Sequence, residues 1–409
     1  MKKGTFFLVT SIALGASSAY ADDLKGVDLG SGWRFLPELD ASVLHDSNLY
    51  SQEHDKQATT AEIVAPKLGL EFLTPSDLFH LGYDGAFGFY DTTNADNYSD
   101  NDVTFEAKIN QTGHNRLNAK LAHDEGHDPF GTERTETTIP PAVRDRDVDE
   151  YSVESARLEY ILGAPSSAMN LSLSGDYADK HYDNNRSIPF GSVNIGTRYL
   201  DRSTAGGTVG VRYAVSARTS LLLDLRYHAI DFDNVAPASI EGSRDGKEYR
   251  ARAGVQWIAT EKVVGRILLG GFWRDNDEQV RKDFNSFDWD AQIIYRPVTY
   301  SRITLQTSHS TLESYFDQAN FIDVKAAGAK WTHDWSDRFQ TGLSGYYYHY
   351  EFKGAGRKDG VFAGSVYGRY ELTRWLAARA SFDANNRDSD VSGLDFDRYI
   401  AQFRLELAI

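Results

Sequence analysis

The side chains most able to do chemistry in this sequence lie in a histidine-rich acidic run and in a Thr-Ser-His-Ser stretch. The run HDEGHD, residues 123–128, carries groups that can bind a metal ion. The stretch TSHS, residues 307–310, places His309 between serines, which are residue types of a serine hydrolase. HDEGHD lies in a predicted long link, with no second group of metal ligands elsewhere in the chain. TSHS supplies a histidine and serines on one strand, but a hydrolase also needs an acid or amide at the same level of the fold. We expect HDEGHD to be a solvated acidic loop, and we predict no catalytic residue, no metal and no cofactor.

Arginine is the other residue type with binding chemistry, and it falls on the polar face of many alternating segments. In EYRARAGVQW, residues 248–257, Arg250 and Arg252 alternate with Tyr249 and Ala251. Planar guanidinium groups bind carboxylates, phosphates and sulfates. Charged residues are also what any water-filled bore requires, so a binding role needs further argument. The residues predicted to line a substrate path are Arg212, Arg226, Arg250, Arg252, Arg266, Arg296, Arg369, Arg379, Arg398, Arg404 and Glu406.

The elements that would position these residues are β-strands. Apolar and polar residues alternate with a period of two in LLLDLRYH (221–228), FDWDAQIIYR (287–296) and the final RYIAQFRLELAI (398–409). In the last segment, Tyr399 and Phe403 fall on one face and Arg398 and Arg404 on the other. No amphipathic helix longer than a turn or two is visible. The sequence therefore predicts an all-β fold.

The links between these strands alternate between short turns and long polar segments. Eight short links and nine long ones divide the chain from residue 34 onward into about 18 strands. The pattern predicts a transmembrane antiparallel up-and-down β-barrel of the outer-membrane type, whose last strand pairs with the first near Arg34 to Val43. The long links are expected near residues 45–58, 91–101, 123–149, 179–202, 233–246, 275–284, 313–320, 351–359 and 387–394.

The N-terminus has the layout of a secretory signal. Lys2 and Lys3 precede an apolar run from Phe6 to Leu14, and Ala19-Tyr20-Ala21 offers a cleavage site. We expect a signal peptide over 1–21, a short periplasmic segment over 22–33 and a barrel over 34–409. So short a segment before the first strand disfavours a TonB-dependent receptor with a plug domain.

Composition narrows the function classes. The chain has no cysteine, which removes disulfides and thiolate chemistry. Its net charge of −16 makes nucleic acid a poor partner. The excess negative charge lies in the long links, while basic and acidic residues are near balance on the polar faces of the strands. We therefore expect an acidic mouth and a bore of mixed charge.

One stretch supports a family resemblance. FLPELDASVLHDSNLYSQEHDKQATTAEIVAPKLGLEF, residues 35–72, carries Pro37, Asp46 with Asn48, and Pro66. In these elements it resembles the opening hairpin of outer-membrane β-barrel porins that are encoded with exopolysaccharide synthesis and export systems. The resemblance implies a channel that conducts polysaccharide out of the cell. The chain departs from the usual pattern of such barrels at its end, because Ile409 takes the place of an aromatic residue.

These observations predict an exopolysaccharide-secreting porin, in which a polymer slides through a wide polar bore held by many weak contacts. An uptake porin for oligosaccharides or organic acids is the alternative, and an integral outer-membrane enzyme is a third hypothesis. The expected location is the bacterial outer membrane, with both termini in the periplasm and the long loops outside. The expected partners are outer-membrane lipid and lipopolysaccharide, the polysaccharide chain, and periplasmic or inner-membrane export proteins.

Overall fold

The computed structural model describes residues 26–132, 135–136, 147–190, 193–194, 196–235, 242–316 and 318–409, so the predicted signal peptide lies outside the described residues. Among the described residues, no helix has the length and apolar character needed to cross a membrane. The strands are β1 (Val27–Gly30), β2 (Trp33–Asp46), β3 (Thr59–Leu73), β4 (Leu78–Tyr90), β5 (Tyr98–Ile109), β6 (Asn115–Asp128), β7 (Asp149–Leu162), β8 (Met169–Tyr182), β9 (Pro189–Phe190), β10 (Val193–Asn194), β11 (Arg202–Ser216), β12 (Thr219–Phe232), β13 (Gly246–Thr260), β14 (Val263–Asn276), β15 (Phe284–Val298), β16 (Ser301–Glu313), β17 (Phe321–Asp334), β18 (Phe339–Lys353), β19 (Lys358–Thr373), β20 (Leu376–Ser389) and β21 (Phe396–Ala408).

Eighteen of these strands, β2–β8 and β11–β21, form one closed antiparallel sheet. Each barrel strand pairs with the next, and β21 closes the ring by pairing with β2, with Ile400–Ala408 opposite Glu38–Asp46. β1 adds a short pairing to the start of β2, and β9 and β10 pair only with each other. The predicted barrel of about 18 strands and its seam between last and first strand are both confirmed.

Short turns and long loops lie at opposite ends of the barrel. Because successive strands are antiparallel, alternate connections fall at the same end. The eight short connections range from two residues at 217–218 to six at 163–168. At the other end lie nine connections, among them 47–58, 129–148, 183–201 and 314–320. The predicted alternation of links is confirmed except for the long link expected at 351–359, which is the four-residue connection 354–357 because β18 and β19 extend into it. We call the two ends the short-turn end and the long-loop end.

The period of two in the sequence separates the two walls. On β12, Leu221, Leu223 and Leu225 are exposed on the outer wall, whereas Asp224 is buried and Arg226 is half-buried on the inner wall. Adjacent side chains of a strand point to opposite faces, so this alternation continues from strand to strand around the ring. The outer wall is thus apolar and the inner wall carries the charges, as the alternating pattern predicts.

Two hairpins depart from this simple wall by bending inward at the long-loop end. The pairing of β15 with β16 ends at Asp290 opposite Ser308, although both strands continue beyond that point. The pairing of β5 with β6 likewise ends at Asn101 opposite Glu125. The freed part of β16 crosses the inner wall, where Thr311 donates a hydrogen bond to Glu248 of β13 at 3.1 Å.

The two bent hairpins, β6–β7 and β16–β17, start from nearly opposite sides of the ring, because β16 is eight strands from β6 in a ring of 18. Each packs an apolar cluster at the long-loop end. One consists of Ala319, Ile322, Val324, Tyr350 and Phe352, and the other of Leu49, Tyr50, Phe130 and Val148. Burial of the Val, Leu, Ile and Phe side chains among them contributes about 1.5–3 kcal/mol each, so the inward position of the hairpins is stabilised by packing as well as by charge.

Candidate functional site

Most of the residues predicted to line a substrate path are held by carboxylates on the inner wall. Eight of the eleven take part in ion pairs, as the seven pairs below show. They are Arg226–Asp224 (2.9 Å), Arg250–Asp288 (3.0 Å), Arg252–Asp224 (2.7 Å), Arg266–Asp290, Arg369–Glu406 (2.8 Å), Arg398–Asp46 (2.5 Å) and Arg404–Asp40 (3.7 Å). A paired guanidinium has fewer donors left for a passing ligand, so the role of these residues in a substrate path stays a prediction.

The other three predicted path residues are half-buried and occupy the alternate strand positions that face the bore. They are Arg212, Arg296 and Arg379. Within the part of the chain that the structure describes, none of the three has a carboxylate within ion-pair distance. The guanidinium of Arg379 lies 3.8 Å from the centre of the Tyr367 ring, a cation–π contact on the lumen wall. These three arginines are the best placed of the predicted set to meet a solute.

A buried ionic cluster fixes the bent hairpin β16–β17 to the wall. Arg274 of β14 is 0% exposed and donates to Glu313 at 2.6 Å and to Glu248 at 3.1 Å. Thr311 joins the same cluster by accepting from Arg250 at 2.7 Å. Buried charges are tolerated only when they are paired and hydrogen-bonded, and here each guanidinium faces carboxylates.

The histidine of the TSHS stretch belongs to this ionic cluster. His309 is 2% exposed; its Nδ1 lies 2.9 Å from Asp288, and its Nε2 is hydrogen-bonded to Asp323. A hydrolase would need one ring nitrogen free to accept a proton from a serine hydroxyl. Both nitrogens of His309 face carboxylates, so its position indicates a structural ion pair, and the fold is that of a channel.

The prediction that HDEGHD is a loop was wrong. Residues 123–128 are the last part of β6, on the hairpin that bends inward. His123 lies 2.5 Å from Glu154 of β7, and His127 lies 2.8 Å from Asp100 and stacks on Tyr98 at 4.0 Å between ring centres. No residue of this segment prevents a strand, and the loop was predicted only because the segment is rich in charged residues. In the structure, partners on the neighbouring strands pair with these side chains.

One face of β18 forms an aromatic column along the lumen wall. The side chains of Tyr346, Tyr348 and Tyr350 all face the bore. The ring centres of Tyr346 and Tyr348 are 6.3 Å apart, and those of Tyr348 and Tyr350 are 6.0 Å apart, both in stacked orientation. Tyr347, the residue between two of them, is 51% exposed on the outer wall. The sequence did not determine which of the two alternating sets of residues on this strand faces the bore. In the structure it is the set that contains these three tyrosines, which we call the tyrosine column.

Small residues on the neighbouring strand let these rings lie flat. Gly328 of β17 is opposite Tyr346, and a Cβ at Gly328 would meet the ring at 2.1 Å. Gly342 stands in the same relation to Tyr367 of β19, where a Cβ would also meet the ring at 2.1 Å. A ring that rests on a glycine presents its π face to the bore, which is the face that stacks on flat ligands.

At the long-loop end the two bent hairpins meet in a buried junction. Glu136, from the β6–β7 loop, accepts a hydrogen bond at 2.5 Å from Tyr315 of the β16–β17 loop. The same carboxylate accepts at 2.7 Å from Arg387 of β20 and at 3.0 Å from Arg357, which precedes β19. These three charged residues are each less than 10% exposed. We call Glu136, Tyr315, Arg357 and Arg387 the mouth junction.

The mouth junction is continuous with the tyrosine column. The Arg357 guanidinium lies 4.1 Å from the centre of the Phe352 ring, and Phe352 follows Tyr350 on the inward face of β18. Asp359 accepts from Nε and Nη2 of Arg357, and the same Nη2 also donates to Glu136. Burial lowers the pKa of Arg357, but hydrogen bonds from Arg357 to Glu136 and Asp359 outweigh it and hold that pKa above its ordinary value.

Comparison with known proteins decides the family. A family model described as "Putative beta-barrel porin 2" matches residues 22–408. The chain belongs to this porin family. No curated protein matches its sequence.

Solved structures resemble the porin in fold. The FrpB iron transporter of Neisseria meningitidis (F5-1 variant, apoprotein form) has a TM-score of 0.51 at 11% identity, covering 89% of this porin and 62% of that chain. Pseudomonas aeruginosa OpdQ gives 0.47 at 10%, covering 92% and 98%, and OpdK with vanillate gives 0.48 at 12%, covering 92% and 99%. The porin spans less than two thirds of the FrpB chain, and at these identities the likeness shows the barrel fold alone.

Three residues of the porin have the geometry to share a metal ion. The ligand atoms of His181, Asp201 and Asp233 lie within 4.8 Å of one another at the long-loop end. Arg186 already donates to Asp201 at 2.7 Å, and Asp201 accepts from the backbone of Tyr182 at 2.8 Å. These contacts account for Asp201 without a metal ion.

A buried carboxyl group in the long-loop packing gives the porin a pH-dependent contact. Asp96 is 4% exposed, and one oxygen accepts from Tyr50 at 3.4 Å. The other oxygen has no hydrogen-bond partner among the described residues. Burial outweighs the hydrogen bonds and raises the pKa of Asp96 to about 6.

This pKa predicts that the porin loses stability as pH rises through about 6. The folded state binds the extra proton between the unfolded pKa, about 4, and the folded pKa, so ionisation costs free energy above that window. Asp96→Asn should remove this dependence and raise the free energy of unfolding at pH 7.5, as measured by urea unfolding at pH 5 and pH 7.5. Asp91→Asn is the control, because hydrogen bonds from Thr60 and Thr59 lower the pKa of Asp91. An unchanged pH dependence in Asp96→Asn would contradict the assignment.

Sequence reasoning missed the mouth junction and left the tyrosine column unassigned. Glu136 and Arg387 are 251 positions apart, and nothing in their local sequence links them. For the column a sequence indication exists, since Gly328 lies among small residues that would face a row of rings on the next strand. Glycine opposite an aromatic residue is a recurrent pairing in sheets.

Proposed function

We propose that this porin conducts a carbohydrate chain across the bacterial outer membrane, with an exopolysaccharide leaving the cell as the substrate. The observation that carries the proposal is the tyrosine column. Three stacked rings on one strand, followed by Phe352 and preceded by Tyr367 on the next strand, form an aromatic track along the wall of a closed barrel.

Such a track suits a sugar polymer. The apolar faces of sugar rings pack on aromatic faces, while their hydroxyl groups bond to water and to polar side chains such as Arg379. Repeated weak contacts of one kind let a chain move from one ring to the next without a deep energy minimum. Conduction needs this combination, because one tight site would hold the chain in place.

Export is favoured over uptake by the resemblance of residues 35–72 to porins encoded with exopolysaccharide systems. In this proposal the short-turn end and both termini lie in the periplasm and the long-loop end lies outside, as in other outer-membrane barrels. Periplasmic or inner-membrane export proteins would deliver the polymer. Uptake of oligosaccharides or organic acids through the same track is the second candidate, favoured by the three lumen arginines that have no carboxylate partner among the described residues.

The binding test compares two adjacent tyrosines. Tyr348→Ala should weaken the binding of a neutral glucose hexasaccharide about two- to twelvefold, the loss expected when about 0.5–1.5 kcal/mol of aromatic stacking is removed. Isothermal titration calorimetry of the detergent-solubilised porin measures the dissociation constant. Tyr347→Ala is the matched control, because that ring lies on the outer wall. Equal affinity of the two variants and the wild type would end the carbohydrate proposal.

The direction of transport needs a cellular test. Deletion of the gene should trap polymer in the periplasm and abolish the extracellular matrix of a biofilm if the porin exports. A growth defect confined to one oligosaccharide or organic acid, with normal matrix, would instead assign uptake. Complementation with the Tyr347→Ala form should restore the lost phenotype, and complementation with the Tyr348→Ala form should restore less of it.

A further inference from the structure

We infer that Arg357 and Arg387 form a binding site for the carboxylate of a uronic acid residue in the transported chain, and that Glu136 occupies this site as an internal stand-in that keeps the mouth closed. The inference rests on the proposed function, because it names the class of sugar and the step that opens the channel. Four points support it. They are the carboxylate of Glu136 in the site, a donor of Arg387 without an acceptor, the position of the site beside the tyrosine column, and the charge balance when a uronate replaces Glu136.

The occupant of the site is itself a carboxylate from a distant loop. Both oxygens of Glu136 are used, one by Tyr315 and Arg357 and the other by Arg357 and Arg387. Two guanidinium groups that converge on one carboxylate make a recognition site for planar anions. The site is attached to the barrel, since Arg387 belongs to β20 and Arg357 adjoins β19, whereas Glu136 comes from the 20-residue connection 129–148. The site is thus part of the wall, and its occupant belongs to a loop.

Arg387 has a donor to spare. It is 8% exposed, and its Nη2 has no acceptor among the described residues, although Nε donates to the Leu394 carbonyl at 2.6 Å and Nη1 to Glu136. A buried donor without an acceptor is unfavourable, because it has lost its hydrogen bonds to water and gained none in return. A sugar acid brings hydroxyl and ring oxygens beside its carboxylate, so it offers this donor an acceptor that a glutamate side chain lacks.

The site lies where a chain on the tyrosine column would arrive. Tyr350 is opposite Asp359, and Asp359 is opposite Ser389, so three neighbouring strands lead from the column to the strand of Arg387. Tyr346 and Tyr348 are half-buried and face the bore, whereas Tyr350 and Phe352 are covered by the bent hairpin β16–β17. A chain that stacks on the open part of the column meets the mouth junction next.

Electrostatics makes the opening selective for an acidic sugar. Asp359 accounts for one of the two guanidinium charges, and Glu136 accounts for the other. If Glu136 left with no replacement, a buried positive charge would remain unpaired, at a cost of several kcal/mol. A uronate carboxylate that takes its place keeps the number of ion pairs constant. A neutral sugar cannot do this, so it should bind the column without opening the mouth.

The test uses single-channel recording of the full-length porin in planar lipid bilayers. Hexameric glucuronate added at the short-turn end should raise the open probability about tenfold or more, the effect of replacing charge-assisted hydrogen bonds of this strength. A glucose hexasaccharide at the same concentration should not raise it. Glu136→Gln should raise the open probability without any ligand, and Glu278→Gln, at an exposed glutamate on another loop at the same end, should leave it unchanged.

A second variant separates this inference from the proposed function. Arg387→Gln should lose the response to glucuronate and keep the calorimetric affinity for the glucose hexasaccharide. Equal responses of the wild type to the acidic and neutral oligomers, or a ligand-free open probability unchanged in Glu136→Gln, would overturn the inference while the tyrosine column still bound sugar. An equal effect of monomeric glucuronate at the same carboxylate concentration would also overturn it. Loss of sugar binding to the column with the glucuronate response intact would remove the proposed function alone.

Discussion

Arg274→Met should reduce the free energy of unfolding of the barrel by about 3–5 kcal/mol, because it leaves two buried carboxylates without their shared cation. Arg274 is 0% exposed and is the ion-pair partner of both Glu248 and Glu313. Methionine has a comparable length, so the variant removes charge rather than volume. Since Glu313 ends β16, the loss should fall on the bent hairpin first.

The measurement is urea unfolding of the refolded porin, followed by tryptophan fluorescence. Arg296→Met is the control for removing an inner-wall arginine that has no carboxylate partner among the described residues. A triple variant, with Glu248→Gln and Glu313→Gln added to Arg274→Met, should recover most of the stability, because uncharged groups no longer repel. A loss in Arg274→Met no larger than that in Arg296→Met would show that the ionic cluster does not stabilise the hairpin.

The wall of the barrel could be predicted from the sequence because its determinants are local. Alternation in segments such as 398–409 sets which side chains share a face, and the turn residues set where each strand ends. Closure follows from an even number of strands with an apolar outer face. The pairing of β21 with β2 was predicted for this reason, and the structure confirms it.

The inward bend of two hairpins could not be predicted from alternation alone. The alternation of strand positions determines which residues share a face. It does not determine whether that face contacts lipid or the opposite wall of the barrel. On β16, the odd-numbered positions face lipid in the part of the strand near the short-turn end. Further along, the odd-numbered residues are His309, Thr311 and Glu313, and all three are polar. His127 gives the same indication on β6. Polar residues on the outward parity near a loop were therefore the available evidence that these strands leave the wall.

The mouth junction lay beyond sequence reasoning for a different reason. Its residues come from β20 and from three loops, and their contact depends on how far each loop reaches across a bore of 18 strands. Glu136 lies in the region that sequence analysis assigned to a polar acidic loop, where any one of many carboxylates could have been the partner. Only the structure distinguishes a solvated loop glutamate from one that is 8% exposed between two arginines.

Shortening the β16–β17 loop should open the bore permanently. Replacing residues 314–320 with a two-residue Asn-Gly turn removes Tyr315 from the mouth junction and Ala319 from the apolar cluster over Tyr350 and Phe352. Near the short-turn end, β16 remains hydrogen-bonded to β15 and β17 to β18, so the barrel should still assemble. An 18-stranded barrel without such a cover is wide enough for an aqueous channel, and the conductance should rise about severalfold.

This deletion also separates the two ways in which the mouth is held. If ion pairs alone hold it, Glu136→Gln and the deletion should give the same single-channel conductance. If the apolar cluster also obstructs the bore, the deletion should give the larger conductance, because Glu136→Gln leaves Ala319 and Phe316 packed over the column. We expect the second result, since the cluster buries five apolar side chains that the mutation does not touch. Deletion within the turn 335–338 at the short-turn end is the control, and an equal rise there would mean that any shortened connection loosens the barrel.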